Sequence, residues 1–314
     1  MGCEPLYVCM TMDVERLNEH SPTGGPTDWA FAARSVQSYC GLLSEYQLPA
    51  TLFVVPDTAV EQGALLRKIA EETGSELGLH MHPQGWKDHY LNVEAHDYLG
   101  GYTAEEQHAI LAEALTQVDQ CLGERPRAFR GGNFSANDDT FRVLADLGFT
   151  HGSVSQPGRS VPRFKACWKD AELDVHFAHR AFRQLQGDLD FVEVPLTSDQ
   201  MRTDHWTGVG DVRLEGATAE EIAKAVRQEV GRQVGDDVLV KHVCILTHNM
   251  VNYWSDDVNE KGRKGVLVET LRLIGEVAGD LGLEVKGATL QMVGDAYRSK
   301  MHSAGSKDPV TGIR

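Results

Sequence analysis

Leu6-Tyr7-Val8-Cys9-Met10-Thr11-Met12-Asp13-Val14-Glu15 is the stretch on which the fold turns. An almost wholly apolar run ends on two carboxylates, the pattern of a strand buried on both faces whose C-terminal end meets polar ground. A helical pattern from Asp28 to Tyr46 follows and leads through Leu48-Pro49 into a second strand over 50–55. Another helix over 60–73 precedes a third strand over 76–80. Thr103-Ala104-Glu105-Glu106 opens a helix over 103–122 as an N-cap with its carboxylate three residues on, and Gly123 closes it. A strand over 128–130 and a helix over 137–147 come next. Strand and helix in strict alternation make parallel βα units, so the chain is expected to be an α/β barrel in a single domain.

Between Gly152 and Asp190 the regularity fails, and Pro157, Gly158 and Pro162 point to a long excursion over one face. Order returns with a strand over 191–196, a helix over 218–234, a strand over 241–247, a helix over 265–281 and a short segment at Glu284-Val285. The expected organisation is a catalytic barrel over 1–302, interrupted by the 152–190 excursion, with a loosely ordered tail over 303–314.

The formal net charge of −16 argues against nucleic acid, since phosphate binding needs clustered Lys and Arg and the basic residues here are scattered; an uncharged or cationic substrate is easier to reconcile. Cys3, Cys9, Cys40, Cys121, Cys167 and Cys244 show no CxxC pairing and lie mostly in apolar stretches, as free thiols do. The first residues lack a basic n-region, and no apolar run reaches the ~20 residues of a membrane span. Gly2 invites myristoylation, but Leu6 stands where Ser or Thr is needed. A cytoplasmic location is expected, with no membrane partner.

Four expected strands finish in polar residues: Asp13 and Glu15, His80 and His82, Arg130 and Asn133, His248 and Asn249. C-terminal strand ends are where α/β proteins place their chemistry. Residues two apart on a strand face the same way, so Asp13 and Glu15 project together, one able to hold a metal and the other to take a proton from water. His80 and His82 share that spacing and can present two imidazoles to one ion. Imidazole with carboxylate suits zinc, with cobalt, nickel, manganese and iron open. Arg130, leaving an apolar strand beside Gly131-Gly132, could fix and ionise a carboxylate. His248 emerges from a buried strand with a side chain that titrates near neutrality.

Together these motifs resemble the polysaccharide deacetylase (NodB-homology) family from Thr11 to about His248. Thr11-Met12-Asp13-Val14-Glu15 resembles its first motif, and Ala50-Thr51-Leu52-Phe53-Val54 the strand after the first helix. Glu76-Leu77-Gly78-Leu79-His80 resembles the approach to the metal histidines, Phe129-Arg130-Gly131-Gly132-Asn133 the arginine motif, and Leu246-Thr247-His248 the last histidine motif. The resemblance implies a distorted (β/α)7 barrel and a divalent metal site at which activated water attacks an acetyl carbonyl. It implies Asp13 as base beside Arg130, His248 as the acid for the leaving group, and a backbone N–H near Asn133, with Gly132, at the oxyanion. Trp86, Trp168, Trp206 and Trp254 are candidates for stacking on sugar rings. Two departures mark a divergent member. Val14 replaces the usual second Asp, so the carboxylate ligand is Glu15, or Asp13 with the base role moved. The usual histidines are four apart, but position 84 is Gln84, which makes His82 of the HxHP sequence the second ligand.

The activity implied is hydrolysis of an N- or O-acetyl group from a sugar or sugar conjugate, on a small-molecule or oligosaccharide substrate. Two alternatives stand beside it: hydrolysis of another C–N bond, as in a cyclic amide or ureide, and a catalytically silent carbohydrate-binding barrel. The second alternative predicts loss of the base or of the last histidine, yet Asp13, Arg130 and His248 are all present.

Overall fold

A computed structural model describes residues 3–21, 24–83 and 98–305. The opening strand, β1 (Glu4–Val14), outruns its apolar core at both ends because three other strands pair with it along different parts of its length. α1 (Trp29–Glu45) starts under the Asp28 carboxylate, which accepts the Phe31 N–H at 2.8 Å. It leads to β2 (Ala50–Val54). α2 (Pro56–Thr73) begins four residues earlier than its apolar spacing predicts, because Pro56 occupies the first turn, where no N–H is required. β3 (Glu76–Met81) and α3 (Ala104–Leu122) follow, the latter with the expected capping box at Thr103 and Glu106. β4 (Ala128–Gly131), α4 (Thr140–Asp146) and β5 (His151–Gly152) continue the alternation.

The excursion has structure of its own. β6 (Ser160–Val161) and β7 (Ala166–Cys167) form a small antiparallel hairpin, and β8 (His176–Phe177) runs antiparallel to β9 (Val192–Glu193). The strand expected over 191–196 is regular only at Val192 and Glu193, though the Val194 N–H still donates to the Gly152 carbonyl at 2.8 Å and the Leu196 N–H to the Ser155 carbonyl at 3.1 Å. α5 (Ala219–Gly235), β10 (Lys241–His248), α6 (Lys264–Asp280) and β11 (Leu283–Gly287) fall close to their expected places. A last helix, α7 (Leu290–Gly305), was not legible in the sequence. Its buried stripe is only Leu290, Val293 and Tyr297, and Gly294 weakens the helical pattern. Ser303 to Gly305 therefore belong to a helix, not to the expected tail, and the rest of that tail lies outside the described residues.

Among the described residues one nine-stranded sheet runs β10-β1-β2-β3-β4-β5-β9-β8, with β11 beside the start of β1; every pairing is parallel except β8 with β9. The sheet curls until the segment after β9 meets β10: the Thr197 N–H donates to the Cys244 carbonyl at 2.9 Å, and the Cys244 N–H to Thr197 Oγ1 at 3.0 Å. Along β1 the pleat separates two faces. Met10, Met12 and Val14 are fully buried on one, while Thr11 and Asp13 lie on the other, within the curl. The six cysteines are free, with Cys9, Cys40 and Cys244 in the core. No helix among the described residues is long and apolar enough to cross a membrane.

Candidate metal and acid–base site

Register assembles the site. Asp13 on β1 stands opposite His248 on β10, and His80 on β3 opposite Arg130 on β4, so four strands deliver their polar ends to one edge of the sheet. Asp13, Glu15, His80, His82 and Arg130 are all buried there. Buried charge is tolerated only where it is paired, and each of these groups is paired with another.

Glu15, His80 and His82 bring one ligand atom each within 4.8 Å of one another. Glu15 Oε1 lies 2.9 Å from His82 Nε2 and 3.4 Å from His80 Nε2. Its other oxygen, Oε2, is buried with no hydrogen-bond partner among the described residues. An orphaned carboxylate oxygen beside two imidazoles fits a divalent cation. His80 Nδ1 is 2.9 Å from the Arg130 carbonyl, which fixes the proton on Nδ1 and leaves the Nε2 lone pair free for a ligand bond. Burial pushes the Glu15 carboxyl up, but the His82 and His80 imidazoles outweigh it and hold it well below the usual carboxylate range. Burial likewise favours neutral His82, against the pull of Glu15. Both trends leave ligands ready to bind metal.

Asp13 is partnered differently. Arg130 Nη1 donates to Asp13 Oδ1 and to Thr11 Oγ1, both at 2.9 Å, and its Nε donates to the Ser153 carbonyl at 3.2 Å. The guanidinium lies 4.3 Å from the centre of the Phe53 ring. That ring has room because position 78 is glycine; a Cβ there would come within 2.8 Å of it. Burial raises the Asp13 carboxyl, yet His80, Arg130 and His248 together bring it below its usual value. Asp13 Oδ2 is left 3.6 Å from His80 Nε2 and 3.9 Å from His248 Nε2.

Sequence reasoning assigned no role to several supports. Glu215 lies 2.6 Å from His248 Nδ1 through Oε1, and its Oε2 accepts the Thr247 hydroxyl at 3.0 Å. Burial lowers the His248 pKa, but Glu215, with a smaller pull from Asp13, outweighs it and the net shift is upward. Glu215 sits in a loop before α5 with no fixed spacing to His248, so no local pattern announces it. Asn249 clips the Glu15 backbone from both sides: the Glu15 N–H donates to Asn249 Oδ1 and Asn249 Nδ2 to the Glu15 carbonyl, each at 3.0 Å. Arg16 donates to the His82 carbonyl at 3.3 Å and pairs with Asp57 at 3.2 Å.

Of the expected substrate contacts, Trp168 is withdrawn by its burial, while Gly132 and Trp254 have protein neighbours of their own. Gly132 serves His82: a Cβ there would lie 2.4 Å from the imidazole, so glycine is what lets the ring lie flat on the backbone. Trp168 is fully buried, its indole N–H donating to the Phe134 carbonyl at 2.7 Å, and has no face to offer a sugar; its large ring fills the core instead. Trp254 is half-buried, with the Arg34 guanidinium 4.2 Å from its ring centre and Phe31 edge-on at 5.1 Å. Asn133 has left-handed backbone (φ 55°) and a buried Nδ2 without a hydrogen-bond partner among the described residues. Trp86 lies outside the described residues.

A family model described as polysaccharide deacetylase matches residues 25–152. That stretch is less than half of the chain, and over it the chain is similar to the polysaccharide deacetylase family. The matched segment carries His80, His82 and Arg130, while Asp13, Glu15 and His248 join it only through the sheet. No curated protein sequence matches the chain. Among solved structures, the chain is similar to two proteins described as candidate polysaccharide deacetylases. One, from Mycobacterium smegmatis, has a TM-score of 0.60 and 18% identity, covering 100% of this chain and 95% of that one. The other, from Pseudomonas aeruginosa PAO1, has a TM-score of 0.56 and 15% identity over 94% and 91%. A structure named Puue allantoinase scores 0.55 at 14% identity over 94% and 90%. At these identities the likeness is one of fold, and the fold is the distorted (β/α)7 barrel of polysaccharide deacetylases, in one mixed α/β domain.

Proposed function

We propose that the protein is a metal-dependent deacetylase that releases acetate from an N- or O-acetylated sugar or sugar conjugate. The observation that carries this reading is the convergence, at one sheet edge, of the Glu15-His80-His82 donor set with two acid–base units, Asp13–Arg130 and His248–Glu215. Glu15, His80 and His82 would hold the ion, zinc being the donor set's best match. When bound, such an ion supplies Lewis-acid activation of water and of the acetyl carbonyl.

The chain's own groups do the proton work. Asp13, kept ionised by Arg130, takes the proton from the attacking water at Oδ2, the oxygen that Arg130 leaves free. His248, held through Nδ1 by Glu215, turns Nε2–H toward the same space and gives its proton to the departing amine or alkoxide. A backbone N–H at Asn133 would donate to the carbonyl oxygen as it gains charge. The products are acetate and the free amine or alcohol.

Acetate release from N-acetyl and O-acetyl sugars by the metal-loaded protein, run beside hydrolysis of cyclic ureides, tests the assignment. The ureide arm is included because the allantoinase shares this fold. Turnover of ureides with no acetate from any sugar would replace the deacetylase reading by the cyclic-amide one.

A further inference from the structure

We infer that Arg159 and Arg213, gathered around Phe134 beside the Asp13–His248 pair, form a subsite for an acidic group, so that the substrate is an acetylated sugar bearing a carboxylate or a phosphate. This rests on the deacetylase reading and names the substrate class within it. The chain's overall charge of −16 favours an uncharged or cationic ligand. The rim of the site has the opposite character.

Three guanidinium groups meet one aromatic ring. Phe134 has Arg159 at 5.6 Å, Arg130 at 5.9 Å and Arg213 at 6.0 Å from its centre. Arg130 is committed to Asp13. Arg213 pairs with Asp211 at 3.0 Å, keeps about a quarter of its side chain exposed, and its charge is felt by Glu215 and His248. Arg159 is the anomaly. It is 2% exposed, its one side-chain hydrogen bond among the described residues runs from Nη1 to the neutral Gln156 Oε1 at 3.2 Å, and its Nε has no partner among them. No carboxylate lies within ion-pair distance of it among the described residues. Burial and then the like charge of Arg213 push its pKa down to about 10, against the pull of Asp211. A buried cation facing neutral groups is unfavourable until an anion reaches it.

The route to it is laid out by rings. Trp206 is 61% exposed, with Arg159 and the exposed Arg163 each 5.7 Å from its ring centre. Guanidinium and aromatic groups thus run without a break from the surface to the buried Arg159. The arrangement is held firmly: Trp168 N–H donates to the Arg159 carbonyl and Ser160 N–H to the Thr207 carbonyl, both at 2.7 Å. Phe134 itself sits at φ 58°, directly after Asn133 at φ 55°, a strained pair that the surrounding packing sustains. Carboxylate and phosphate are the groups that match a guanidinium fork.

The test uses the full-length, metal-loaded protein and its Arg159→Gln and Arg213→Gln variants. Inorganic phosphate binding is measured by calorimetry at low ionic strength, and acetate release from N-acetylglucosamine, its 6-phosphate and N-acetylmuramic acid. Expected is a preference of tenfold or more for an acidic sugar; which of the two is favoured separates phosphate from carboxylate. Arg159→Gln should lose about ten- to a hundredfold of that preference and of phosphate affinity, through KM, while turnover of the neutral sugar holds. If a folded Arg159→Gln protein binds phosphate like the parent and treats acidic and neutral sugars in the parent's ratio, Arg159 only packs against Phe134 and the inference fails. Arg213→Gln, at a partly exposed position, carries the same comparison should Arg159→Gln not fold. Phosphate binding that depends on Arg159, with no acetate from any sugar, would keep the anion site and overturn the deacetylase reading.

Discussion

Asp13 and Glu15 are two residues apart, one within the end of β1 and one just beyond it, and their neighbours divide them. Arg130 occupies one oxygen of Asp13, whereas Glu15 faces both imidazoles and keeps an oxygen with no partner among the described residues. Asp13→Asn should therefore lose hydrolysis by a hundredfold or more while metal stoichiometry, read by elemental analysis, stays at the parent's value. Gly132→Ala should do the reverse of a silent change: the added Cβ displaces the His82 ring, and metal affinity is expected to fall about ten- to a hundredfold in a chelator competition. Glu215 raises the His248 pKa, and a protonated His248 is what donates to the leaving group. Activity therefore falls as pH rises through that pKa, and Glu215→Gln should move the alkaline limb of the kcat profile to lower pH. An alkaline limb that stays in place would remove Glu215 from this role. His80, His82, Arg130 and His248 were legible in the sequence because each ends an apolar strand. Glu215 and Arg159 were not, because loops carry them and nothing local ties them to the strands they serve.

At the scale of the element, legibility followed caps and apolar periodicity. α3 and α5 announce themselves by Thr-x-x-Glu capping boxes, both of which form. Strands β5 to β8 are two residues each and exist through pairing with other strands, so no periodicity could reveal them, whereas β9 lies within the strand expected over 191–196. That strand carries a titratable group with a clear consequence. Glu193 on β9 is fully buried and accepts the Ser155 N–H at 2.7 Å, the Ser155 hydroxyl at 2.8 Å and the Val154 N–H at 2.9 Å. Burial outweighs these bonds and pushes its carboxyl from 4.5 up to about 7. The unfolded chain then gives up this proton at lower pH than the folded one, so the contribution to stability is lost as pH rises from 4.5 to 7. A shift of that size corresponds to roughly 3 kcal/mol. In urea unfolding between pH 5 and pH 8, Glu193→Gln should flatten the decline by up to this amount, apart from a pH-independent offset from its changed hydrogen bonds. Equal slopes for parent and variant would mean that Glu193 is ionised in the fold at both pH values.

For the molecule as a whole, the metal site joins β1 to β3 across β2, so an ion bound there opposes unfolding of the sheet. Zinc at about a hundred times its dissociation constant should add about 3 kcal/mol to unfolding, seen as a higher Tm that a chelator reverses. A His80→Ala/His82→Ala protein should melt at one temperature with or without zinc. If zinc raises both melting curves equally, the ion binds elsewhere.

The order of the longer strands and of helices α1 to α6, the single α/β domain and the strand-end residues followed from the chain alone, because each rests on local periodicity, caps and the two-residue repeat of a strand. Which carboxylate faces the imidazoles, what orients His248, why position 132 is glycine and where a buried arginine with no carboxylate partner among the described residues lies were decided by tertiary structure. Those relations join residues that are far apart in the chain, and their physical content lies in register, burial and the field of neighbouring charges, none of which a linear pattern records. The two carboxylates at the end of the opening strand show both sides of this. The sequence set them two residues apart, and the neighbouring strands β3, β4 and β10 gave them different partners.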